Sequence, residues 1–443
     1  MLNPIKVGIL GLGTVGGGTV HILQHNAKEI ARRAGRGIIV THACAKELNN
    51  TYSYQTDKIV LTKELSELVN HPELDIIVEL LGGTAIAREM TLQAIANGKH
   101  VVTANKALIA KHGNEIFAAA QEKGVMVAFE AAVGGGIPII KAIREGLAAN
   151  KIKWAAGIIN GTSNFILSEM REKKSDFADV LAEAQRLGYA EKDPTFDIEG
   201  VDAAHKLTII ASIAFGIPLQ FDKVYMEGIT NIAPEDVQYA NELGYRIKHL
   251  GITKRTEKGI ELRVHPTFVP NKRLLANVEG VMNAILIESD ALGQSLYYGA
   301  GAGALPTGSA IIADLVDVTR ALTTDSDHRV PHLAFQADAL SDLPIVPIEE
   351  IEASYYLRLS AQDKLGVLAQ VTNILSENAI SIEAIIQKEP ISGAEHVSIV
   401  ILTHQVVEKQ INKAIQAIEN LDGIMEKVIR IRLEMLNTEM LQN

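Results

Sequence analysis

The sequence predicts an α/β protein: a helix-covered parallel sheet, a mixed α+β part and a small C-terminal βαββαβ unit. Three observations predict it. A glycine turn, Gly11-Leu12-Gly13-Thr14-Val15-Gly16, follows an apolar run and precedes a helical pattern. Short strand-like and helix-like segments then alternate over the first 130 residues, as parallel sheets require. From Ser354 the pattern restarts in a new order.

The elements follow in sequence. Ile5 to Leu10 reads as a buried strand, and Thr19 to Ala34 as a helix ending near Gly35 and Gly37. Ile38 to Ala45, Asp75 to Leu80, His100 to Thr103 and Val125 to Glu130 read as further strands. Leu65 to Val69, Ala85 to Ala96 and Lys111 to Lys123 read as the helices between them, the last two closed by Gly98 and Gly124. Near residue 133 a Gly-Gly-Gly-Ile-Pro stretch breaks the rhythm before a helix from Ile139 to Ala149. Residues 152–300 mix helices with strand-like runs at Lys153 to Asn160, Glu261 to Phe268 and Ala284 to Ser289. A second glycine cluster ending at Gly303 leads into a helix from about Thr307 to Ala321, and prolines 331, 344 and 347 mark a linker. The C-terminal unit reads as strand Tyr355 to Ser360, helix Val367 to Glu377, and strands Ser381 to Gln387 and Val397 to Leu402. Helix Gln405 to Ile418 and strand Met425 to Ile431 complete a ferredoxin-like order. Leu433 to Asn443 reads as a tail amphipathic enough for a short helix.

Composition narrows the function. A net charge of -11 with no basic run disfavours nucleic acid and anionic membranes as partners. No stretch reaches the ~18 apolar residues of a spanning helix, and the N-terminus does not read as a signal peptide. Cys44, the single cysteine, excludes an intrachain disulfide and reads as a buried strand thiol. That usage fits a reducing cytoplasm. His21 and His25 share a helix face without a third ligand, so they read as ordinary surface histidines rather than a metal site.

The glycine turn is the fingerprint of a Rossmann dinucleotide site. Gly11 permits the turn, Gly13 lets the backbone approach a pyrophosphate, and Gly16 lets helix and strand pack closely. Helix N–H groups beyond it face the phosphates. An acid at the end of the second strand would hold the ribose diol of NAD, but Ala45 and Lys46 stand there, with Glu47 just beyond. Lys46 favours the 2′-phosphate of NADP; a solvated loop lysine is the plain alternative.

The second informative segment runs from Gly188 to Lys206 and carries Glu191, Asp193, Asp197, Glu199 and Asp202. Asp202 and Lys206 are four apart and share a helix face. A surface ion pair is one reading. The apolar run after Lys206 favours another: a site at a core edge that holds an ammonium group and delivers a proton.

With these segments the chain resembles homoserine dehydrogenase over about residues 1–340. The resemblance rests on the glycine turn, Thr103-Ala-Asn-Lys106, Glu130-Ala-Ala-Val-Gly-Gly-Gly-Ile-Pro, Gly157-Ile-Ile-Asn-Gly-Thr-Ser-Asn and the Glu191-to-Lys206 segment. Residues 354–432 resemble an ACT domain, a small amino-acid-binding module. The resemblance implies a Rossmann nucleotide-binding domain (1–135 plus about 300–340), an α+β catalytic and dimerisation domain (136–300), an ACT regulatory domain (354–432) and a tail (433–443). It implies reversible reduction of L-aspartate 4-semialdehyde to L-homoserine, in threonine and methionine biosynthesis, by hydride from C4 of the reduced nicotinamide of NADP or NAD. Lys206 is implied as proton donor and Lys106 as a second active-site lysine. Glu191, Asp197, Asp202, Gly161 and Thr162 are implied in substrate binding, while Asp193 and Glu199 are left as surface acids. Gly11, Leu12, Gly13, Thr14, Val15, Gly16, Thr103, Lys106 and Gly303 are implied in cofactor binding. Glu130, Val133, Gly135 and Ile137 match a structural sodium site built largely from backbone carbonyls, hard ligands that suit an alkali cation. L-threonine is implied as inhibitor through the ACT domain, near Gly366, and a homodimer or homotetramer as the assembly. Two other readings stay in view. One is a different ACT-bearing dehydrogenase, which would not be expected to carry Lys106 and the Glu191-to-Lys206 segment together. The other is a non-catalytic nucleotide and amino-acid sensor, against which the two lysines argue.

Overall fold

The computed structural model describes residues 3–47, 54–325, 328–388 and 396–437. The chain forms two compact units, one of Met1–Gly161, Asp202–Val224 and Val281–Leu343, the other of Thr162–Val201, Tyr225–Gly280 and Pro344–Asn443.

The first unit is built on a parallel sheet. Its elements are β1 (Ile5–Leu10), α1 (Thr14–His25), α2 (Ala27–Ala34), β2 (Ile38–Cys44), β3 (Val60–Thr62) and α3 (Leu65–Asn70). They continue as β4 (Ile76–Glu79), α4 (Ala85–Ala96), β5 (His100–Thr103), α5 (Lys106–Lys123) and β6 (Val127–Ala128). The strand order is β3-β2-β1-β4-β5-β6, which places the order reversal between β1 and β4. Val7 pairs with Ile76 and Ile9 with Val78, so the buried β-branched residues of the central strands stand side by side.

Where the structure departs from the periodicity, packing gives the reason. One helix was expected from Thr19; α1 instead begins at Thr14 and includes three glycines, and Asn26 separates it from α2. Glycine propensity argues against a helix there. A Cβ at Gly16 would overlap the Gly11 carbonyl, and one at Gly18 would overlap the carbonyl of Ala304. The second contact is with the Ala304–Ala321 helix, capped by Gly303 and three residues longer than expected. Its Ile311, Leu315 and Val318 join Ile9 and Val20 in one core. Helix α5 begins five residues early because Asn105 caps it, its Oδ1 accepting the Leu108 N–H at 3.0 Å. The expected strand from Val125 shrinks to β6 and gives way to a 3₁₀ turn at Glu130–Ala132. The helix expected from Ile139 to Ala149 loosens into a π turn at Ala142–Gly146. Strand β3 was not anticipated, being short and half exposed. The unit also holds three antiparallel strands, Ile152–Ile158, Met282–Ser289 and Gly293–Ala300. The Val201–Phe215 helix is buried from Asp202 onward.

The second unit is organised by a long hairpin, Tyr245–Thr256 and Gly259–Pro270. The βαββαβ unit predicted from Ser354 follows, with strands Glu352–Gln362, Ile382–Gln387, His396–Thr403 and Ile429–Leu433. The last strand pairs in parallel with the hairpin, Thr267 opposite Arg432 and Phe268 opposite Leu433. Helices Val367–Glu377 and Glu408–Glu419 cover one face through Val371, Leu375, Ile411 and Ile418. Tyr356, Leu402 and Ile431 on the other face pack on Phe165, Met170 and Val237. Residues 434–437 are irregular; the rest of the helix expected in the tail lies outside the described residues.

Gly18→Ala is expected to destabilise the protein by about 1–3 kcal/mol, because a backbone carbonyl cannot yield as a side chain can. Gly13→Ala, whose Cβ meets nothing within 4 Å, should stay within about 0.5 kcal/mol of wild type in the same thermal unfolding experiment.

Candidate active site

The nucleotide half lies at the carboxyl ends of β1, β2 and β4. The Gly11 and Leu12 N–H groups donate to the Cys44 carbonyl at 3.2 and 3.0 Å, fixing the glycine turn against β2. Gly11 has φ +105°, and a Cβ there would lie 2.7 Å from the Leu80 carbonyl oxygen. Gly11 and Gly16 thus answer to protein neighbours. Gly13 does not: the space before it is open, as close approach of a pyrophosphate requires. No side chain caps α1, so its first N–H groups, beginning with Thr14, Val15 and Gly16, are left to an anion. These residues fit the phosphates of a dinucleotide. Leu12 is buried beneath the turn. Beyond β2, Ala45 is buried while Lys46 and Glu47 are exposed, so a ribose contact at this edge falls to the latter two.

The next ends of the sheet hold a buried acid that the sequence reading did not single out. Glu79, the last residue of β4, has no exposed surface. It accepts the Leu81 N–H at 2.7 Å and the Thr103 hydroxyl at 2.5 Å. Burial pushes its carboxyl up to about 7, against the bonds from Thr103, Leu81 and Asn105. The Thr103 oxygen in turn accepts the Asn105 N–H at 3.0 Å.

The chemical half is a carboxylate with lysines on both oxygens. Asp202 Oδ2 lies 2.6 Å from Lys206 Nζ, and Oδ1 lies 3.1 Å from Lys106 Nζ. Asn160 donates to Oδ2 at 2.8 Å, and Lys206 donates to the Ile159 carbonyl at 2.7 Å. Helix spacing alone gave the Asp202–Lys206 pair; only the fold adds Lys106, from α5, and Asn160. Burial would raise the Asp202 carboxyl, but Lys206, Lys106 and the hydrogen bonds outweigh it and hold it well below the usual carboxylate range. Lys206 is 8% exposed, which rules out the surface-pair reading, while the Lys106 side chain is 34% exposed. His205 stacks on Phe221 at 4.3 Å, and burial, then Lys111, pulls it down to about 4. It is neutral near pH 7 and is no acid for this chemistry.

The other expected residues are distributed as follows. Gly161 opens the Gly161–Lys173 helix, where a Cβ would lie 2.7 Å from the Val281 carbonyl. In the second unit, the Thr162 hydroxyl donates to the Tyr189 carbonyl at 2.7 Å and the Ser163 hydroxyl to the Asp197 carbonyl at 3.0 Å. Glu191 is exposed, and its carbonyl accepts from Gln185. Asp193 accepts from Thr195, a local turn contact, and Glu199 meets Thr230.

The turn from Glu130 to Ile137 is buried apart from Gly136, which is exposed. Its own backbone bonds use the carbonyls of Phe129, Glu130, Gly134 and Ile137, leaving those of Val133 and Gly135 outside that set. Gly135 has φ +55°, and a Cβ there would lie 2.5 Å from the Gly301 carbonyl. Glu130 accepts N–H groups from Ile140 and Lys141 at 2.9 Å. Burial and then the neighbouring Asp314 push its carboxyl up to about 7. Backbone carbonyls and a carboxylate are hard oxygen donors of the kind an alkali cation takes, although those of Glu130 and Ile137 already accept N–H groups. Among the described residues no group of three or more His, Cys, Asp or Glu side chains suits a metal, and His21 and His25 are an exposed stacked pair. Cys44 is buried, and burial followed by Glu64 raises its thiol. No helix among the described residues is long and apolar enough to cross a membrane.

Hydride-transfer enzymes that use a nicotinamide dinucleotide are the class to which this sheet, its open glycine turn and its ammonium groups point. Family profiles divide the chain in the same sense. The homoserine dehydrogenase NAD-binding domain matches residues 11–130, the homoserine dehydrogenase domain 138–316 and the ACT domain 355–423. The chain is 64% identical to a homoserine dehydrogenase of Pseudomonas aeruginosa, covering 98% of this chain and 100% of that one. It is 36% identical to one of Bacillus subtilis, with coverage of 98% and 99%. The crystal structure of a homoserine dehydrogenase from Thiobacillus denitrificans superposes with TM-score 0.94 at 63% identity, covering 98% and 99%. A hyperthermophilic archaeal homoserine dehydrogenase in complex with NADPH gives TM-score 0.61 at 27% identity over 72% of this chain and 98% of that one. The chain belongs to the homoserine dehydrogenase family, and is an oxidoreductase with a C-terminal ACT domain.

Asp202→Ala leaves the buried Lys206 ammonium, with Lys106 beside it, without a carboxylate and is expected to cost about 3–5 kcal/mol in urea unfolding at pH 7. The sign with pH follows from the lowered carboxyl: this stability is present above the unfolded value of 3.8 and is lost as pH falls below it. The variant should therefore approach wild type in strong acid.

Proposed function

We propose that the chain interconverts L-aspartate 4-semialdehyde and L-homoserine, with Lys206 as the proton donor. The observation that carries this reading is the pair of ammonium groups oriented by the Asp202 carboxylate, one of them almost fully buried. The bound nicotinamide nucleotide supplies or takes the hydride. Lys206 Nζ, aimed by Asp202 and the Ile159 carbonyl, delivers a proton to the forming alkoxide oxygen. Lys106 stabilises the same developing charge, and the burial of Lys206 strengthens the effect. In the reverse direction Lys206 accepts the proton from the homoserine hydroxyl. We assign Glu191 and Asp197 to the substrate's ammonium group, Gly161 and Thr162 to its backbone-side contacts, and Thr103 and Gly303 to the cofactor.

Several finer points belong to the same proposal. The exposed Lys46, in the place of a ribose-binding acid, favours NADP over NAD. Glu130, Val133, Gly135 and Ile137 hold a structural sodium ion that braces the turn. Residues 1–135 with about 300–340 bind nucleotide, 136–300 form the catalytic and dimerisation domain, and 354–432 the regulatory one. L-threonine is the effector, bound near Gly366, which has φ +92° and open space where a Cβ would stand. A homodimer or homotetramer working in the cytoplasm completes the reading, in keeping with a buried thiol at Cys44.

Lys206→Ala is expected to lower kcat for homoserine oxidation by about 10²- to 10⁴-fold while nucleotide still binds; near-normal turnover removes the proton-donor role. In the same spectrophotometric assay kcat/KM should be higher with NADP than with NAD. L-threonine should inhibit wild type and fail to inhibit Gly366→Asp, whose side chain enters the effector position. Deleting residues beyond 350 is the poorer test, because it uncovers the strand that pairs with Arg432 and Leu433.

A further inference from the structure

We propose that Glu79 is a positioning residue for the reduction site, setting the Thr103–Asn105 turn and, through it, the place of Lys106. The inference rests on the reading of Lys106 as an active-site lysine.

A carboxylate with no exposed surface at the end of an apolar strand is costly to bury without full hydrogen bonding. The side-chain hydrogen bonds of Glu79 belong to one closed circuit. One oxygen accepts the Leu81 N–H, at the start of the loop after β4; the other accepts the Thr103 hydroxyl, at the end of β5. Thr103 passes the constraint on by accepting the Asn105 N–H. Asn105 returns it, donating its side-chain amide to the carbonyls of Leu81 at 3.2 Å and Gly83 at 2.8 Å. The same Asn105 caps α5 at Leu108. Two strand ends, the Gly82-Gly83 turn and the first turn of α5 are thus tied to one buried acid. Lys106 is the first residue of α5, and the Lys106 N–H donates to the Ala104 carbonyl inside the tied segment. Its 3.1 Å approach to Asp202 depends on where that segment sits. Among the described residues no lysine hydrogen-bonds to Glu79; its influence passes through Thr103 and Asn105.

A glutamine at this position keeps the shape and offers one acceptor and one donor end. It cannot accept from Leu81 and Thr103 on separate oxygens, so the Thr103 hydroxyl must turn. The test is a double-mutant cycle of Glu79→Gln and Lys106→Ala in the full chain, read by kcat and KM for homoserine oxidation, by affinity for ADP as a probe of the adenosine half, and by thermal unfolding. Glu79→Gln should lower kcat by about 10- to 100-fold, with ADP affinity within about twofold and folding retained. The double variant should be no slower than Lys106→Ala alone. Wild-type kcat in Glu79→Gln, losses that multiply in the double variant, or a fall in kcat matched by a fall in ADP affinity would each overturn the positioning role. If Glu79→Gln does not fold, Glu79→Asp, which keeps the charge but draws the carboxylate back from Leu81 and Thr103, replaces it in the cycle under the same criteria. Wild-type protein without homoserine turnover overturns the functional reading, and this inference with it. Wild-type turnover with an unaffected Glu79→Gln overturns the inference alone.

Discussion

A single buried carboxylate, Asp202, holds the charge cluster of the first unit together. Asp202 carries a full charge because two ammonium groups and an amide surround it, and the Lys206 ammonium tolerates burial because Asp202 is there. Neither side is stable alone at that depth. The three contributors come from distant segments: Lys106 opens α5, Asn160 follows the Ile152–Ile158 strand, and Lys206 shares a helix with Asp202. The charge cluster therefore acts as a check on the fold of the first unit, since it forms only when sheet and helices have met correctly. A lysine aimed in this way by a fixed carboxylate needs little reorganisation to meet a developing charge, which is what the proposed proton donation asks of Lys206.

Close backbone approach is the second constraint on that unit. Gly11, Gly16 and Gly18 lie where another carbonyl leaves no room for a side chain, whereas Gly13 faces open space. Protein packing accounts for the first three, while nothing in the protein crowds the fourth. The division separates glycines required by their neighbours from one that leaves room at the turn, a distinction invisible in the motif itself.

In the second unit buried charge does different work. Arg432 has no exposed surface and is shared by Glu408, Glu227 and Tyr225. Asp236, equally buried, accepts from Tyr356 at 2.9 Å and from Arg358 at 2.6 Å. In each case the partners come from both sides of the boundary between the ACT domain and the segment Tyr225–Gly280. Together with the parallel pairing at Arg432 and Leu433, these contacts bind the ACT strands to the hairpin as one sheet. An effector that shifted the ACT strands would meet charges with little freedom to move, which is the physical setting in which small displacements are transmitted rather than absorbed.

Local pattern was enough for much of this. Strand and helix alternation, the glycine turn and the restart near Ser354 follow from apolar period and backbone stereochemistry, which act over a few residues and are written in order along the chain. The Asp202–Lys206 pair was legible for the same reason, a four-residue helix spacing. Lys106 and the acids from Glu191 to Asp197 were reached through motif resemblance, not through spacing. Tertiary structure alone decided the rest. It joined Lys106 and Asn160 to Asp202, buried Glu79 beneath the Thr103–Asn105 turn, and drew glycines 16 to 18 into a helix that propensity opposes. Each of those outcomes turns on a contact between residues far apart in sequence, where burial and charge pairing outweigh local preference, and no local pattern records which distant partner will arrive.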